Sequence, residues 1–263
     1  MIANEDEVRE FLNKNAIVSD RSNGTVVFTN GNERYIKTLI ANLLVSYERK
    51  KKGDVKYPNI CVFCSDEKGY KASRELGMNS CMVNIPSLGV DDKYEGANAG
   101  SEFYLRLCFV KIVLIKYALN LGYDVLYIDP DMVFNKDCMN ELVEIKDDLT
   151  FAKYVYRGRY VFVNSNIMRV YPTDVNKRVF DFVISRDLER YIKLLPDVSD
   201  ETFLQHQLIG VGDVGKCVRM DEYPAGGDTK HLNPNGIKMY HANCMVGLDN
   251  KINYFKENGV WWV

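Results

Sequence analysis

From residue 25 onward the chain alternates short, almost continuous apolar runs with longer stretches of helical spacing. TVVFTN (25–30) reads as a strand ending at Asn30, and a helical pattern follows from about Tyr35 to Arg49. NICVFCSD (59–66) is a second strand, leading into a short helix that ends near LGM (76–78). SCMVNIP (80–86) is a third, a long helix spans about Ser101 to Leu121, and the strand DVLYID (124–129) follows. Strands alternating with helices pair in parallel, and apolar runs this unbroken suit strands covered on both faces. Beyond Asp131 the order loosens: DLTFAKYV (148–155), GRYVFVNSNIMRV (158–170), a helix near 175 to 194, then short strands such as IKMYH (237–241). No repeat, low-complexity tract or Pro/Gly/Ser linker divides the chain, so an α/β fold in one domain, 1–263, is expected.

In open parallel sheets the ligand crevice lies beyond the carboxyl ends of the strands. Asn30, Asp66 and the pair Asp129/Asp131 each fall at such an end and are expected to converge. One polar residue after a strand is ordinarily a turn or cap residue. Three strands ending this way, one of them in a carboxylate pair, point to a site. Residues of about 25–134 thus read as a nucleotide-binding half, onto which about 135–263 builds.

The aspartates close an apolar run, GYDVLYIDPDMVF (122–134), and carboxylates are costly to bury uncompensated. Pro130 fixes its own φ, keeps Asp129 extended and removes a ladder donor, so the strand stops there. An oxygen-only pair suits magnesium or manganese; the alternative is a turn with solvated carboxylates. Two chemistries fit. In a metal-dependent phosphatase of the haloacid-dehalogenase type, DPDMV would supply an aspartate nucleophile. In sugar transfer, a cation would bridge the carboxylates and a diphosphate. The phosphatase motif normally opens its domain, whereas here about 125 residues precede it, so the order favours sugar transfer. A catalytically silent sugar-nucleotide-binding protein is a third possibility. On the preceding helix, Glu102, Arg106, Lys116 and Asn120 share one face. Lys111 lies opposite, among Phe103, Leu107, Leu114 and Ala118, and must either snorkel to the surface or face an anion such as a diphosphate.

Composition narrows the setting. The 263 residues are 46% hydrophobic and 27% charged, ordinary for a soluble globular protein. A net charge of -2 argues against a nucleic-acid partner, and RKKK (49–52) reads as a solvated helix end. The acidic start MIANEDEVREF is unlike a signal peptide. No apolar run approaches the roughly 20 residues that span a bilayer; FVKIVLIKYAL is interrupted by Lys111 and Lys116. Seven scattered cysteines suggest a reducing compartment, so a cytoplasmic protein is expected. Cys61 and Cys64 form a lone C-x-x-C inside a strand, which favours buried thiols over zinc or redox chemistry.

The segment FVKIVLIKYALNLGYDVLYIDPDMVF (109–134) resembles the nucleotide-diphospho-sugar transferase family of GT-A-fold glycosyltransferases: helix lysine, Gly-Tyr and D-x-D come in that order and spacing. VNSNIMRVYPT (163–173) is similar to the family's Asn-Ser-Gly strand followed by Pro-Thr, and SDETFLQHQL (199–208) sits where it has Asp-Gln before a helix. YHANCMVGLDNKINYFKENGVWW (240–262) resembles its closing His-x-Asn, Gly, Lys and Gly-x-Trp pattern. The resemblance implies a GT-A-type domain with a Rossmann-like, mainly parallel sheet flanked by helices and a smaller acceptor-side subregion. It implies manganese or magnesium held by Asp129, Asp131 and His241, a UDP-sugar donor, and a glycan or other hydroxyl acceptor, with retention of configuration.

By the same resemblance Thr29, Asn30 and Tyr35 would contact base and ribose, and Asp129 the ribose as well. Gly247 would admit a phosphate, and Lys251 would neutralise the β-phosphate leaving group. Asn164, Ser165, Asp200 and Glu201 would face the donor sugar and the transfer site. Asp66 and Lys111 complete the donor-binding set. A lone histidine at the end of a strand is more often structural than a ligand, but the neighbouring ANCMVGLDNK (242–251) favours the ligand reading. Asn166 stands where the family has glycine, and Glu201 where it has glutamine; Asp200 or Glu201 could serve as the base that inversion requires. Trp261 and Trp262 make the tail too apolar to be solvated, and are expected to pin the segment carrying His241, Gly247 and Lys251.

Overall fold

The computed structural model describes residues 2–52, 59–90, 101–156, 159–195, 198–212, 216–217, 222–223, 235–243, 245 and 247–263; for 153–162 and 216–217 it describes the backbone. Cys244 and Val246 of the closing motif lie outside these residues. The elements in chain order begin α1 (Glu5–Asn15), β1 (Thr25–Gly31), α2 (Glu33–Tyr35), a π-helical turn (Ile36–Ile40) and α3 (Ala41–Lys50). Next come β2 (Cys61–Cys64), α4 (Glu67–Glu75), β3 (Ser80–Met82), α5 (Glu102–Asn120), β4 (Asp124–Ile128), β5 (Met132–Phe134) and α6 (Met139–Val143). The second half adds β6 (Leu149–Tyr156), β7 (Arg159–Val170), α7 (Asp174–Val179), α8 (Ile184–Ile192), α9 (Asp200–Val211), β8 (Lys216–Cys217), β9 (Met239–His241) and α10 (Leu248–Glu257).

Seven strands form one sheet in the order β3-β2-β1-β4-β7-β6-β8. The pairs among β1 to β4 are parallel, while β7 lies antiparallel between β4 and β6. One sheet therefore runs through both halves of the chain. Every residue of β1, β2 and β4 is buried, as their unbroken apolar runs require when both faces are covered. On one face α1, α5, α8 and α9 pack, with Phe109 of α5 stacked on Phe182 at 4.2 Å between ring centroids. On the other, Leu43 and Tyr47 of α3 and Leu142 of α6 meet Val27, Leu126 and Ile128. Burying each such side chain contributes about 1.5–3 kcal/mol.

The single helix expected near 175 to 194 is two helices. Thr173 caps α7 by accepting from Asn176, and the Asp187 carboxylate accepts the Val183 N–H at 2.8 Å, closing the start of α8. The break between them lets Phe180 and Phe182 both enter the core, which one straight helix could not do. Among the elements that hydrophobic spacing left unmarked are α1, β5, α6 and α10.

A buried ion pair fastens β4 to β7: Arg169 Nη1 lies 2.8 Å from Asp124 Oδ1. Arg169 Nε also donates to the Val143 carbonyl, and the Ser19 and Ser22 hydroxyls donate to Asp124 Oδ2. At the C-terminus, Val260, Trp261 and Trp262 pack beside α10. Asn42, fully buried on α3, donates to the Val260 carbonyl at 3.1 Å and accepts the Trp262 N–H at 2.7 Å. Among the described residues no helix is long and apolar enough to cross a membrane.

Candidate active site

The crevice opens at the carboxyl ends of β1 and β4. After Ile128 the chain turns tightly: the Met132 N–H donates to the Asp129 carbonyl at 3.2 Å, with Pro130 in the second position of the turn, where its fixed φ fits. The Asp129 N–H donates to the Asn166 carbonyl on β7 at 2.7 Å. Directly after the turn, β5 pairs antiparallel with β9, setting Met132 opposite His241. The Ala242 N–H donates to the Asp131 carbonyl at 3.1 Å. This small ladder brings the histidine of the tail to the aspartate of the turn, and the three ligand atoms of Asp129, Asp131 and His241 lie within 4.8 Å of one another.

Each aspartate of the pair has its own lysine. Lys111 Nζ lies 3.1 Å from Asp129 Oδ1, 2.9 Å from Asp200 Oδ2 and 2.7 Å from Ser165 Oγ. With only 5% of its surface exposed, Lys111 does not snorkel. The anions it meets are the protein's own carboxylates, a third route that the helix pattern did not display. Lys251 on α10 pairs with Asp131 Oδ2 and donates to the Ala242 carbonyl. Ser165 Oγ donates to Asp200 Oδ2 at 2.7 Å, so strand β7 and the start of α9 join the same network.

These contacts split the aspartates electrostatically. Burial pushes both carboxyls up. At Asp131, Lys251 and His241 outweigh it and hold the carboxyl well below the usual range. At Asp129, burial prevails over Lys111 and the Asp131 charge adds to it, so its carboxyl is raised. Burial also lowers the charged form of Lys111, but Asp129 and Asp200 more than offset it and keep the ammonium charged. Glu201 is pushed up to about 8, first by burial and then by the neighbouring Asp200.

Of the residues singled out from sequence, Asn30, Tyr35, Lys111, Asp129, Asp131, Ser165, Asp200, Glu201, His241 and Lys251 line one cavity. Thr29, Asp66, Asn164 and Gly247 do not line it. Thr29 and Asn164 are buried, and Asn164 Oδ1 accepts the Asn166 N–H. Asp66 is a cap: its carboxylate accepts the N–H groups of Gly69 and of Glu33, joining α4 to α2. At Gly247 a side chain would meet nothing within 4 Å, but φ is +90°, so glycine is required there by backbone conformation rather than by close approach. Spacing also passed over Tyr127, whose hydroxyl lies 2.7 Å from Asp129 Oδ1 and 3.0 Å from Asn30 Oδ1. A tyrosine inside a buried apolar strand needs a polar partner, and that was the signal available. Tyr104 and Cys108 of α5 complete the wall nearest Lys111.

The C-x-x-C carries no chemistry of this kind. Cys61 and Cys64 are buried thiols in β2, each pushed up to about 12 by burial.

The sequence model of nucleotide-diphospho-sugar transferases matches residues 55–255. No curated protein matches the chain. Among solved structures, the galactosyltransferase LgtC in complex with donor and acceptor sugar analogs aligns with a TM-score of 0.52 at 12% identity, over 91% of this chain and 96% of that one. Mouse xyloside xylosyltransferase 1, in its apo form, aligns with a TM-score of 0.50 at 12% identity, over 85% and 99%. At such identities these similarities speak for the fold, which is that of the GT-A glycosyltransferases. With a family match across most of its length, the chain belongs to the nucleotide-diphospho-sugar transferases and is a glycosyltransferase.

Proposed function

We propose that the chain moves a sugar from UDP to a hydroxyl of a glycan or similar acceptor, with manganese or magnesium, and with retention of configuration. The observation that carries this reading is the cluster of Asp129, Asp131 and His241 within 4.8 Å, with Lys111 and Lys251 beside it. Two carboxylates and an imidazole form a donor set that fits manganese, and magnesium less closely. When bound, the cation would offset charge on the departing diphosphate. Lys251 would exchange part of its pairing with Asp131 for the β-phosphate, a preorganised positive charge where negative charge develops. Asn30 and Tyr35, at the β1 end of the cavity, would take the base and ribose; Ser165, Asp200 and Glu201, at the β7 end, would take the sugar. On this reading about 25–134 forms the nucleotide half and about 135–263 the sugar and acceptor half.

Retention is supported by the state of the two acidic side chains. Asp200 Oδ2 already accepts from Lys111 and Ser165. Glu201 Oε1 accepts the Ser165 backbone N–H at 3.4 Å, and burial beside Asp200 raises its carboxyl to about 8. With Asp200 engaged by Lys111 and Ser165, and Glu201 by the Ser165 N–H, both acids already hold partners that an inverting base would have to give up. A reducing, cytoplasmic setting is supported by the free cysteines of the described residues, four of the five being buried.

The test is a screen of nucleotide sugars for transfer and slow hydrolysis, with manganese and with a chelator. Metal-dependent release of UDP from a UDP-sugar, with NMR showing the donor's anomeric configuration in the product, is the expected result. Phosphate release from simple phosphomonoesters would favour a phosphatase. Nucleotide binding with neither transfer nor hydrolysis would favour a silent binding protein.

A further inference from the structure

Asn166 is fully buried on β7, and its neighbours fix which way its carboxamide faces. Oδ1 accepts the Ile167 backbone N–H at 2.8 Å. Turning the amide over would set two donors against each other, so the oxygen belongs there. Nδ2 consequently faces His241 Nδ1 at 3.0 Å and Met132 Sδ at 3.4 Å. An amide nitrogen donates, so His241 Nδ1 accepts. The neutral imidazole then carries its proton on Nε2, the nitrogen that looks onto Asp131 Oδ1 at 3.4 Å. A cation ligand at that position needs a lone pair instead.

We propose that Asn166 is a positioning residue that holds His241 in the Nε2–H tautomer and thereby weakens divalent-cation binding at Asp129, Asp131 and His241. The second half of this inference rests on the cation site proposed above. For Nε2 to bind a cation, its proton must move to Nδ1, with no net gain or loss. There it meets the amide hydrogens of Asn166. Either the amide turns and gives up the Ile167 N–H, or the cation is held by the two carboxylates alone. An aspartate at position 166 would accept from both the Ile167 N–H and an Nδ1–H, the outer arrangement that orients a metal-binding histidine. A glycine there would remove the donor without adding charge.

The tautomer is read directly by 15N NMR of the imidazole at a pH above its ordinary range. The sequence has three histidines, so His241→Gln assigns the signal. Manganese affinity is measured separately by electron paramagnetic resonance without nucleotide, and thermal melts show whether each variant is folded. Wild-type His241 is expected as Nε2–H. Asn166→Asp is expected to convert it to Nδ1–H and to tighten manganese binding about ten- to a hundredfold; Asn166→Gly is expected to tighten it less. Should Asn166→Asp fail to fold, the wild-type spectrum and Asn166→Gly carry the test. A wild-type Nδ1–H tautomer overturns the proposal. So do folded variants that bind manganese no tighter than wild type while Asp131→Asn abolishes binding. An Nε2–H signal that moves in Asn166→Asp, with no manganese bound by any form, upholds the role of Asn166 and overturns the cation site instead.

Discussion

Lys111 Nζ lies 2.9 Å from Asp200 Oδ2, so the middle of α5 and the first residue of α9 meet through a buried ion pair. The same ammonium holds Asp129, which makes Lys111 the charge that lets two acids of the crevice share one buried space. Replacing it with methionine keeps the stem and leaves both carboxylates uncompensated. Lys111→Met is expected to lose about 3–5 kcal/mol of stability as well as donor affinity. Denaturant titration checks the first and calorimetry with UDP the second. A fully stable variant would show that the pair is replaceable by solvent.

Removal of the metal is expected to abolish transfer, and manganese to restore it. Asp131→Asn should remain folded, because volume is kept, yet lose at least about tenfold in manganese affinity. Full turnover in a chelator would end the metal-dependent reading.

The Glu201 carboxyl gives the site a pH signature. Its ordinary value of 4.5 is raised to about 8 in the fold, so the folded state keeps a proton that the unfolded chain releases. The stability it contributes is present below the unfolded value and declines as pH rises through the folded one, between about pH 5 and 8. Glu201→Gln, which stays neutral, is expected to lower the slope of melting temperature against pH in that window. Identical slopes would place the Glu201 titration elsewhere.

The buried pair Arg169–Asp124 should be felt in the whole sheet. Among the described residues, Arg169→Met leaves the Asp124 carboxylate to the Ser19 and Ser22 hydroxyls, and it is expected to cost about 3–5 kcal/mol. Urea unfolding would read this, and a change below one kcal/mol, roughly an exposed pair's worth, would contradict it.

Asn42 clasps the tail through two backbone groups. Asn42→Ala strands the Val260 carbonyl and the Trp262 N–H, at about 1–3 kcal/mol for each group left buried without a partner. Deleting residues 259 to 263 is expected to weaken UDP binding more than it lowers the melting temperature, because the tail supports α10 and Lys251. UDP should also slow proteolysis of the tail. Equal cleavage with and without UDP and metal would separate the tail from the site.

Period and order along the chain determined the parallel half of the sheet, the long helix with an inward lysine, and the turn that presents two aspartates. Those are local properties: apolar runs choose strands, helical spacing chooses faces, and Pro130 ends the strand wherever it is placed. What lies opposite what was decided by tertiary structure. Asp66 at a strand end looked like Asn30 at a strand end, yet one caps a helix and the other meets the hydroxyl of Tyr127 in the cavity. Lys111 was recognisably misplaced on its helix, but its partners Asp129, Ser165 and Asp200 come from the turn after β4, from β7 and from α9. His241 reaches Asp131 only because β9 pairs with β5 in one register. Charges at a distance in sequence are compensated by whichever groups the packing of the core brings near, and no local pattern encodes that choice.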